Sequence, residues 1–320
     1  MNNRKIFFRA DAGNQIGYGH FIRSLALADM LKEEFDCTFF TQTPTDYQKR
    51  EAAQVCPLVE LPADDSKFNL FLDKLTGDEI VVLDNYFFTT DYQRAIKAKG
   101  CKLVCIDDMH DKHYVADVVI NHGIATQEVF DVEPYTRLCL GLDWALLRRP
   151  FLEAAKHISE RNYSKDIQKV AVCFGGSDPL HLTEQTIRQL LQNSAITQID
   201  AIVGNHFTNF EEFHDTCVHF YQNISAQEVA NIFWHCDLAV VSASSVCIEA
   251  LACGAKVAAG WYVENQRDIY ETLLNNKFIF GLSNFKNIMP FFMNSIINTN
   301  SSNIHFNSII NNYVHLFKNC

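Results

Sequence analysis

The sequence lacks an excess of cations: its 320 residues carry 27 lysines and arginines against 38 aspartates and glutamates, a formal net charge of -11. Binding to a nucleic-acid backbone depends on clustered basic residues that neutralise phosphates, so that class of function is excluded. An anionic small molecule stays open as a ligand, provided that backbone N–H groups and helix dipoles hold it instead of a basic surface. Also missing is any uninterrupted apolar stretch near the ~18 residues of a membrane span. The opening Met1-Asn2-Asn3-Arg4-Lys5 runs into only Ile6-Phe7-Phe8 before Arg9 and Asp11, too brief for the apolar region of a secretion signal. A cytoplasmic protein with no membrane partner is expected. The 11 cysteines are odd in number and closely spaced only at Cys101-x-x-x-Cys105. Without a second ligand pair at matching distance they do not make structural zinc, and in a reducing compartment they serve as small core hydrophobes. Asp107, Asp108, His110 and His113 could chelate an ion, but a polar loop explains them as well. No metal and no cofactor is expected.

What is present is enough apolar material for two cores. Hydrophobic residues make up 48% and charged residues 20% of a chain long enough to divide, since single cores stop growing near 250–300 residues. Short β-rich apolar runs alternate with amphipathic helical patterns, the mark of parallel α/β sheets with helices on their faces. One series places strands at 5–9, 38–41, 80–83, 103–106 and 118–120, with a helix over 21–35. A connection follows through Gly141 to Pro150 and a charged helical stretch ending near Lys165. The second series has strands at 170–174, 198–203, 218–220, 238–241 and 256–259, and helices at 182–192, 227–235 and 247–253. The expected domains are thus 1–150 and 165–320, the second ending in an Asn-rich tail that includes a helical pattern over 304–317. Two such halves make a cleft, and open α/β sheets bind ligands at the carboxyl ends of their strands.

Three motifs carry chemistry. Residues 9–20, from Arg9 through Gly13, Gly17 and Gly19 to His20, form a glycine-rich loop between the first strand and the first helix. Such a loop brings backbone close to a ligand and sets His20 at a helix start, where the imidazolium is disfavoured and a neutral base is at hand. A plain strand-to-helix turn with a bystander histidine is the alternative. Phe174-Gly175-Gly176-Ser177-Asp178-Pro179 repeats the arrangement in the second half and suits a diphosphate, with Ser177 a further donor; an ordinary βα turn is the competing reading. The third is the strand 238–241 running into Ser242-Ala243-Ser244-Ser245, where small hydroxyl residues cap a helix and offer donors to phosphate. Glu249, one turn into that helix, could accept both hydroxyls of a ribose. Alone, this is also a simple capping pattern.

With these motifs in order, the sequence becomes recognisable. RADAGNQIGYGHFIRSLALA, FGGSDPLHLT, NISAQEVANIFWHCDLAVVSASSVCIEALACGAKV and WYVENQ resemble the UDP-sugar hydrolase family of pseudaminic acid biosynthesis (the PseG family). The pieces VVLDNYFFTTDYQ, KLVCIDDMHDKHYVADVVINHG and GLDWALLRRPF look like it too, over roughly residues 4 to 270. MurG-like glycosyltransferases are a more distant likeness. The resemblance implies an α/β fold of glycosyltransferase-B type, two Rossmann-like domains facing across a cleft. It also implies metal-independent, inverting hydrolysis of UDP-2,4-diacetamido-2,4,6-trideoxy-β-L-altropyranose to UDP and the free sugar. By motif, His20 is the implied base or water-orienting group, and Tyr86 stands beside the sugar. Ser244, Ser245 and Glu249 grip phosphate and ribose, Ile224 offers a backbone contact to uracil, and Asn265 with Gln266 forms a sugar-side loop. Gly17 and Gly19 let the first loop close on the diphosphate. The implied partners are the UDP-sugar and other enzymes of the sugar pathway. Past the Asn265-Gln266 motif the chain extends some fifty residues in a segment that does not align with the family pattern.

Three other functions share these features. A true glycosyltransferase needs an acceptor surface, and no apolar and basic patch for a lipid acceptor is evident in the first half. A hydrolysing UDP-sugar epimerase needs additional acidic residues to move a proton at the sugar's second carbon. In a non-catalytic sugar-nucleotide binding protein, His20 would be replaceable.

Overall fold

A computed structural model describes residues 3–13, 17–123, 126–164, 166–176, 178–205, 207–285, 304 and 306–320. Asn14, Gln15, Ile16, Ser177 and most of the Asn-rich tail lie outside the described residues. The chain forms two compact units, 1–149 with 308–320, and 150–307.

The first unit is built on β1 (Lys5–Arg9), α1 (Gly19–Leu31), β2 (Asp36–Gln42), α2 (Asp46–Ala53), β3 (Leu58–Leu61), α3 (Ser66–Leu72), β4 (Ile80–Leu83) and α4 (Thr90–Ala98). It continues with β5 (Lys102–Ile106), β6 (His113–Tyr114), β7 (Val118–Asn121), β8 (Asp131–Val132) and β9 (Arg137–Leu140). Seven strands make one parallel sheet in the order β3-β2-β1-β4-β5-β7-β9, while β6 and β8 pair separately. β4 and β7 are buried at every position. That explains their unbroken apolar runs, because parallel strands are covered on both faces and need no polar alternation. Phe40, Phe71, Leu103 and Val119 belong to the core beside this sheet.

The second unit takes α5 (Arg149–Lys156) from its second residue onward, then β10 (Lys169–Cys173), α6 (Leu182–Leu190), β11 (Gln198–Val203), β12 (Val218–Gln222) and α7 (Ala226–His235). β13 (Leu238–Ser242), α8 (Ser245–Ala252), β14 (Lys256–Trp261), α9 (Arg267–Asn275) and β15 (Phe280–Asn284) complete it. Its sheet is also parallel, in the order β12-β11-β10-β13-β14-β15.

One expectation is corrected. Chain order assigns the last residues to the second domain, yet α10 (Ile309–Lys318) joins the first unit. The reason is its apolar stripe: Ile309, Tyr313, Leu316 and Phe317, spaced for one helical face, are all buried. Their cover lies in the first unit, where the Tyr313 hydroxyl donates to the Trp144 carbonyl at 2.6 Å and Phe317 meets the Phe35 ring at 6.2 Å.

Candidate active site

In each sheet the strand order reverses once, at β1/β4 in the first and at β10/β13 in the second, and α/β sheets take ligands outside the carboxyl ends of strands at such reversals. At β1/β4, Arg9 and Asp11 form a fully buried ion pair. Asn85 exchanges hydrogen bonds with the backbone of Asp11, donating to its carbonyl at 3.2 Å and accepting its N–H at 2.7 Å. This ties the root of the glycine loop to the loop after β4. Gly17 has φ +80, a left-handed conformation that excludes most side chains.

His20 lies in the first turn of α1 and is buried. Its Nδ1 is 2.7 Å from Asp84 Oδ1 at the end of β4. Arg23 and Ser24, three and four residues further along α1 and so on the same helix face, grip the same carboxylate. Arg23 donates to both Asp84 oxygens at 2.7 and 2.6 Å, and the Ser24 hydroxyl donates at 2.9 Å. Burial by itself raises the Asp84 carboxyl, but the Arg23 guanidinium and the His20 ring outweigh it and hold its pKa down at about 2. Asp84 is therefore an anion beside Nδ1, which also lies 3.1 Å from Arg23 Nη2; in the tautomer whose Nδ1–H donates to Asp84, Nε2 carries the lone pair a base requires. The ring of Tyr86 stands edge-on to His20 with centroids 4.6 Å apart, and Tyr86 is 42% exposed. Arg23 also donates to Asp108 Oδ2, beyond β5, at 2.8 Å.

At β10/β13 in the second unit, Gly175 has φ +86, and a Cβ at Gly175 or Gly176 would meet nothing within 4 Å, so open space adjoins both. The Gly176 backbone in turn presses on Gly204, where a Cβ would lie 1.8 Å from the Gly176 carbonyl oxygen. Ser244 precedes α8 but does not cap it: its Oγ pairs with Ser242 Oγ at 3.1 Å, which corrects the capping expectation there. Side-chain capping is absent at that helix start, whereas Ser225 and Glu228 form a reciprocal capping box at α7. Ser245 opens α8, and Glu249 is buried one turn in. Ile224 follows β12, two strands away from β10 in the sheet. Asn265 and Gln266 follow β14; the Gln266 amide oxygen accepts the Tyr262 N–H at 3.1 Å, so that side chain braces its own loop.

The fold thus brings His20, Tyr86, Gly17 and Gly19 to one sheet edge and Gly175, Gly176, Ser244, Ser245 and Glu249 to the other, with Ile224, Asn265 and Gln266 at flanking loops of the second. Asp84, Arg23 and Ser24 were missed, although the spacing of His20, Arg23 and Ser24 on one helix face and an acidic residue closing an apolar strand are both visible in the sequence. His113 faces Asp131 and Glu133 at 2.9 and 3.1 Å, one carboxylate on each ring nitrogen. No group of three metal-ligating side chains occurs among the described residues, and no helix among them is long and apolar enough to cross a membrane.

No family model matches the chain. It is 26% identical over 267 residues to the UDP-2,4-diacetamido-2,4,6-trideoxy-beta-L-altropyranose hydrolase of Campylobacter jejuni, covering 82% of this chain and 93% of that one. An uncharacterized protein of Methanocaldococcus jannaschii is 25% identical over 84% of this chain and 58% of its own length. The spore coat polysaccharide biosynthesis protein SpsG of Bacillus subtilis is 29% identical over 54% of this chain and 51% of its own. The chain therefore spans little more than half the length of the archaeal and Bacillus relatives. Among solved structures, MurG of Acinetobacter baumannii superposes with TM-score 0.65 at 12% identity, covering 99% of this chain and 100% of that one. HepE of Anabaena, in complex with UDP and glucose, gives TM-score 0.59 at 13% identity over 99% and 95%. The fold is α/β of glycosyltransferase-B type, and the likeness to the Campylobacter hydrolase, with MurG more distant, is borne out.

Proposed function

We propose that the chain hydrolyses a UDP-activated diacetamido-trideoxy sugar at its anomeric C–O bond, releasing UDP and the free sugar with inversion. The observation that carries this reading is the Asp84–His20 pair at the β1/β4 reversal, with Nε2 unengaged among the described residues and Tyr86 beside it. Similarity to the Campylobacter hydrolase supplies the substrate class. In the proposed step, Nε2 of His20 takes a proton from water as its oxygen bonds the anomeric carbon. The electron pair of the breaking C–O bond leaves on UDP, and Asp84 stabilises the imidazolium that forms. A diphosphate leaves readily, so orientation of one water and donors for the departing charge make up the remaining work. Those donors come from the backbone at Gly175-Gly176 and Ser244-Ser245, with Glu249 on the ribose, Ile224 toward uracil, and Asn265 on the sugar side. The proposed action is cytoplasmic and needs no metal.

The test is turnover of the UDP-sugar in isotopically labelled water with excess EDTA. Label on the anomeric carbon of an inverted first product, undiminished by EDTA, supports the reading. Label on UDP, or chelator-sensitive turnover, indicates attack at phosphorus by a metal-bound hydroxide and sinks it. UDP release only when a second sugar is added marks a transferase instead.

A further inference from the structure

His122, the residue that follows β7, has no role in the reaction above. It is 8% exposed, and its Nδ1 accepts the backbone N–H of Leu146 at 3.3 Å. That bond fixes the tautomer, placing the ring proton on Nε2. Burial, reinforced by the nearby Arg23 guanidinium, pushes the pKa of the ring down to about 4, so near neutral pH it is an uncharged donor and not a base.

Of the carboxylates near it, Asp84 is held by His20, Arg23 and Ser24, and Asp108 gives Oδ2 to Arg23 while its Oδ1 is buried with no hydrogen bond to His122. No described residue accepts the Nε2 proton. A donor left unmatched in a site that is nine-tenths buried costs about 1–3 kcal/mol, and water or a ligand has to supply the missing acceptor. The placement favours a ligand. β5 and β7 pair with Ile106 opposite Ile120, and the Asp107 N–H donates to the Ile120 carbonyl at 3.0 Å. His122 therefore emerges at the carboxyl edge of the same sheet as Asp84 and His20, two strands along from β4.

We infer that His122 is a substrate-binding residue whose Nε2–H donates to an uncharged oxygen of the sugar, an acyl carbonyl or a hydroxyl. This rests on the UDP-sugar reading. A neutral donor suits such an oxygen, since it recognises the sugar without attracting phosphate and without competing with His20 for the water proton. Burial and the Arg23 guanidinium keep it neutral against the opposing pull of Asp84 and Asp108, and the Leu146 N–H keeps it in one tautomer.

Two substitutions separate this role from a structural one. His122→Asn keeps an acceptor where Nδ1 meets Leu146 and removes the outer donor; His122→Gln keeps a donor near the Nε2 position and loses the inner acceptor. Each is made in a His20→Asn background, which suppresses cleavage, and titrated calorimetrically with UDP and with UDP-2,4-diacetamido-2,4,6-trideoxy-β-L-altropyranose. The expected result is that His122→Asn loses about tenfold in affinity for the UDP-sugar while UDP binds as before, and that His122→Gln stays within about threefold for both. The opposite order, with Gln the more damaging and Asn neutral, shows a merely structural histidine and overturns the inference, as does equal loss for UDP and UDP-sugar. A wild-type chain that binds the UDP-sugar more tightly than UDP yet never cleaves it overturns the hydrolase reading alone. In proton–nitrogen NMR spectra, the Nε2–H signal absent from His122→Asn should shift on adding UDP-sugar to the His20→Asn chain and not on adding UDP; no shift with either counts against the inference.

Discussion

The two ring nitrogens of His20 have different neighbours, and that difference sets what substitutions should do. His20→Ala and His20→Asn should lose about 10²-fold or more in turnover with UDP affinity nearly intact, the scale of a positioned base. Equal loss in both would mark a binding residue. Asp84→Asn should lower turnover by a similar factor, because an amide can donate to Nδ1 and so turn the proton-bearing nitrogen outward. It should also lower stability, since the buried Arg23 keeps its charge and loses one of its two counter-ions; because Asp108 remains, the cost should stay below the ~3–5 kcal/mol of a fully broken buried pair. The pH dependence follows from the same groups. An unfolded chain protonates His122 near pH 6.5, whereas the folded chain resists until about pH 4, so the unfolded state binds the extra proton in between. Stability is then full above pH 6.5 and falls as pH drops toward 4, by about 1.4 kcal/mol per unit from this group. Asp84 has its pKa lowered from 3.8 to about 2, so its contribution is present above the first value and is lost only as pH falls through the second. Urea midpoints measured from pH 7 to 4 should flatten in His122→Gln; an unchanged slope would assign the acid limb to other groups.

Among the elements, α10 makes the clearest demand on stability. Tyr313 is fully buried and donates to the Trp144 carbonyl, its ring edge-on to that of Trp144. Tyr313→Phe should cost about 1 kcal/mol for the lost hydrogen bond, and Tyr313→Ala about 3–5 kcal/mol for the cavity as well. Calorimetry of Tyr313→Ala should show the transition of the first unit lowered while UDP binding persists below it. If the transition of the second unit moved instead, the assignment of α10 would be wrong. Elements also differ in how far they were legible. β1, β4 and β11 match the sequence reading to the residue; β4 is an unbroken apolar run, as a buried parallel strand should be, while β1 and β11 carry apolar stretches bounded or interrupted by Lys5, Arg9, Gln198 and Asp200. β3 and β9 went unread: Leu58–Leu61 and Arg137–Leu140 are half-exposed strands at the two edges of the sheet, held there by one neighbour each rather than by their own pattern.

At the scale of the whole molecule, two parallel sheets each carry a reversal with a glycine turn beside it, and the proposal divides the chemistry between them. Hydrogen–deuterium exchange on the intact chain tests the division. UDP should protect amides after β10 and β13, at 175–176 and 245–246, and the UDP-sugar should add protection in the first turn of α1. Protection by UDP confined to the first unit would reverse the assignment.

Composition, apolar periodicity and the glycine turns are local properties, and from them the sequence by itself determined an α/β chain with two sheets, a histidine at the first helix start and a glycine turn between strand and helix in each half. Which acid serves His20 was not readable there. Asp84 is 64 residues away in the chain, and only the strand order that sets β1 beside β4 makes them neighbours. The same holds for α10, whose apolar face is plain in the sequence while the surface that covers it is not, since a stripe of side chains states that it must be buried and leaves open against what.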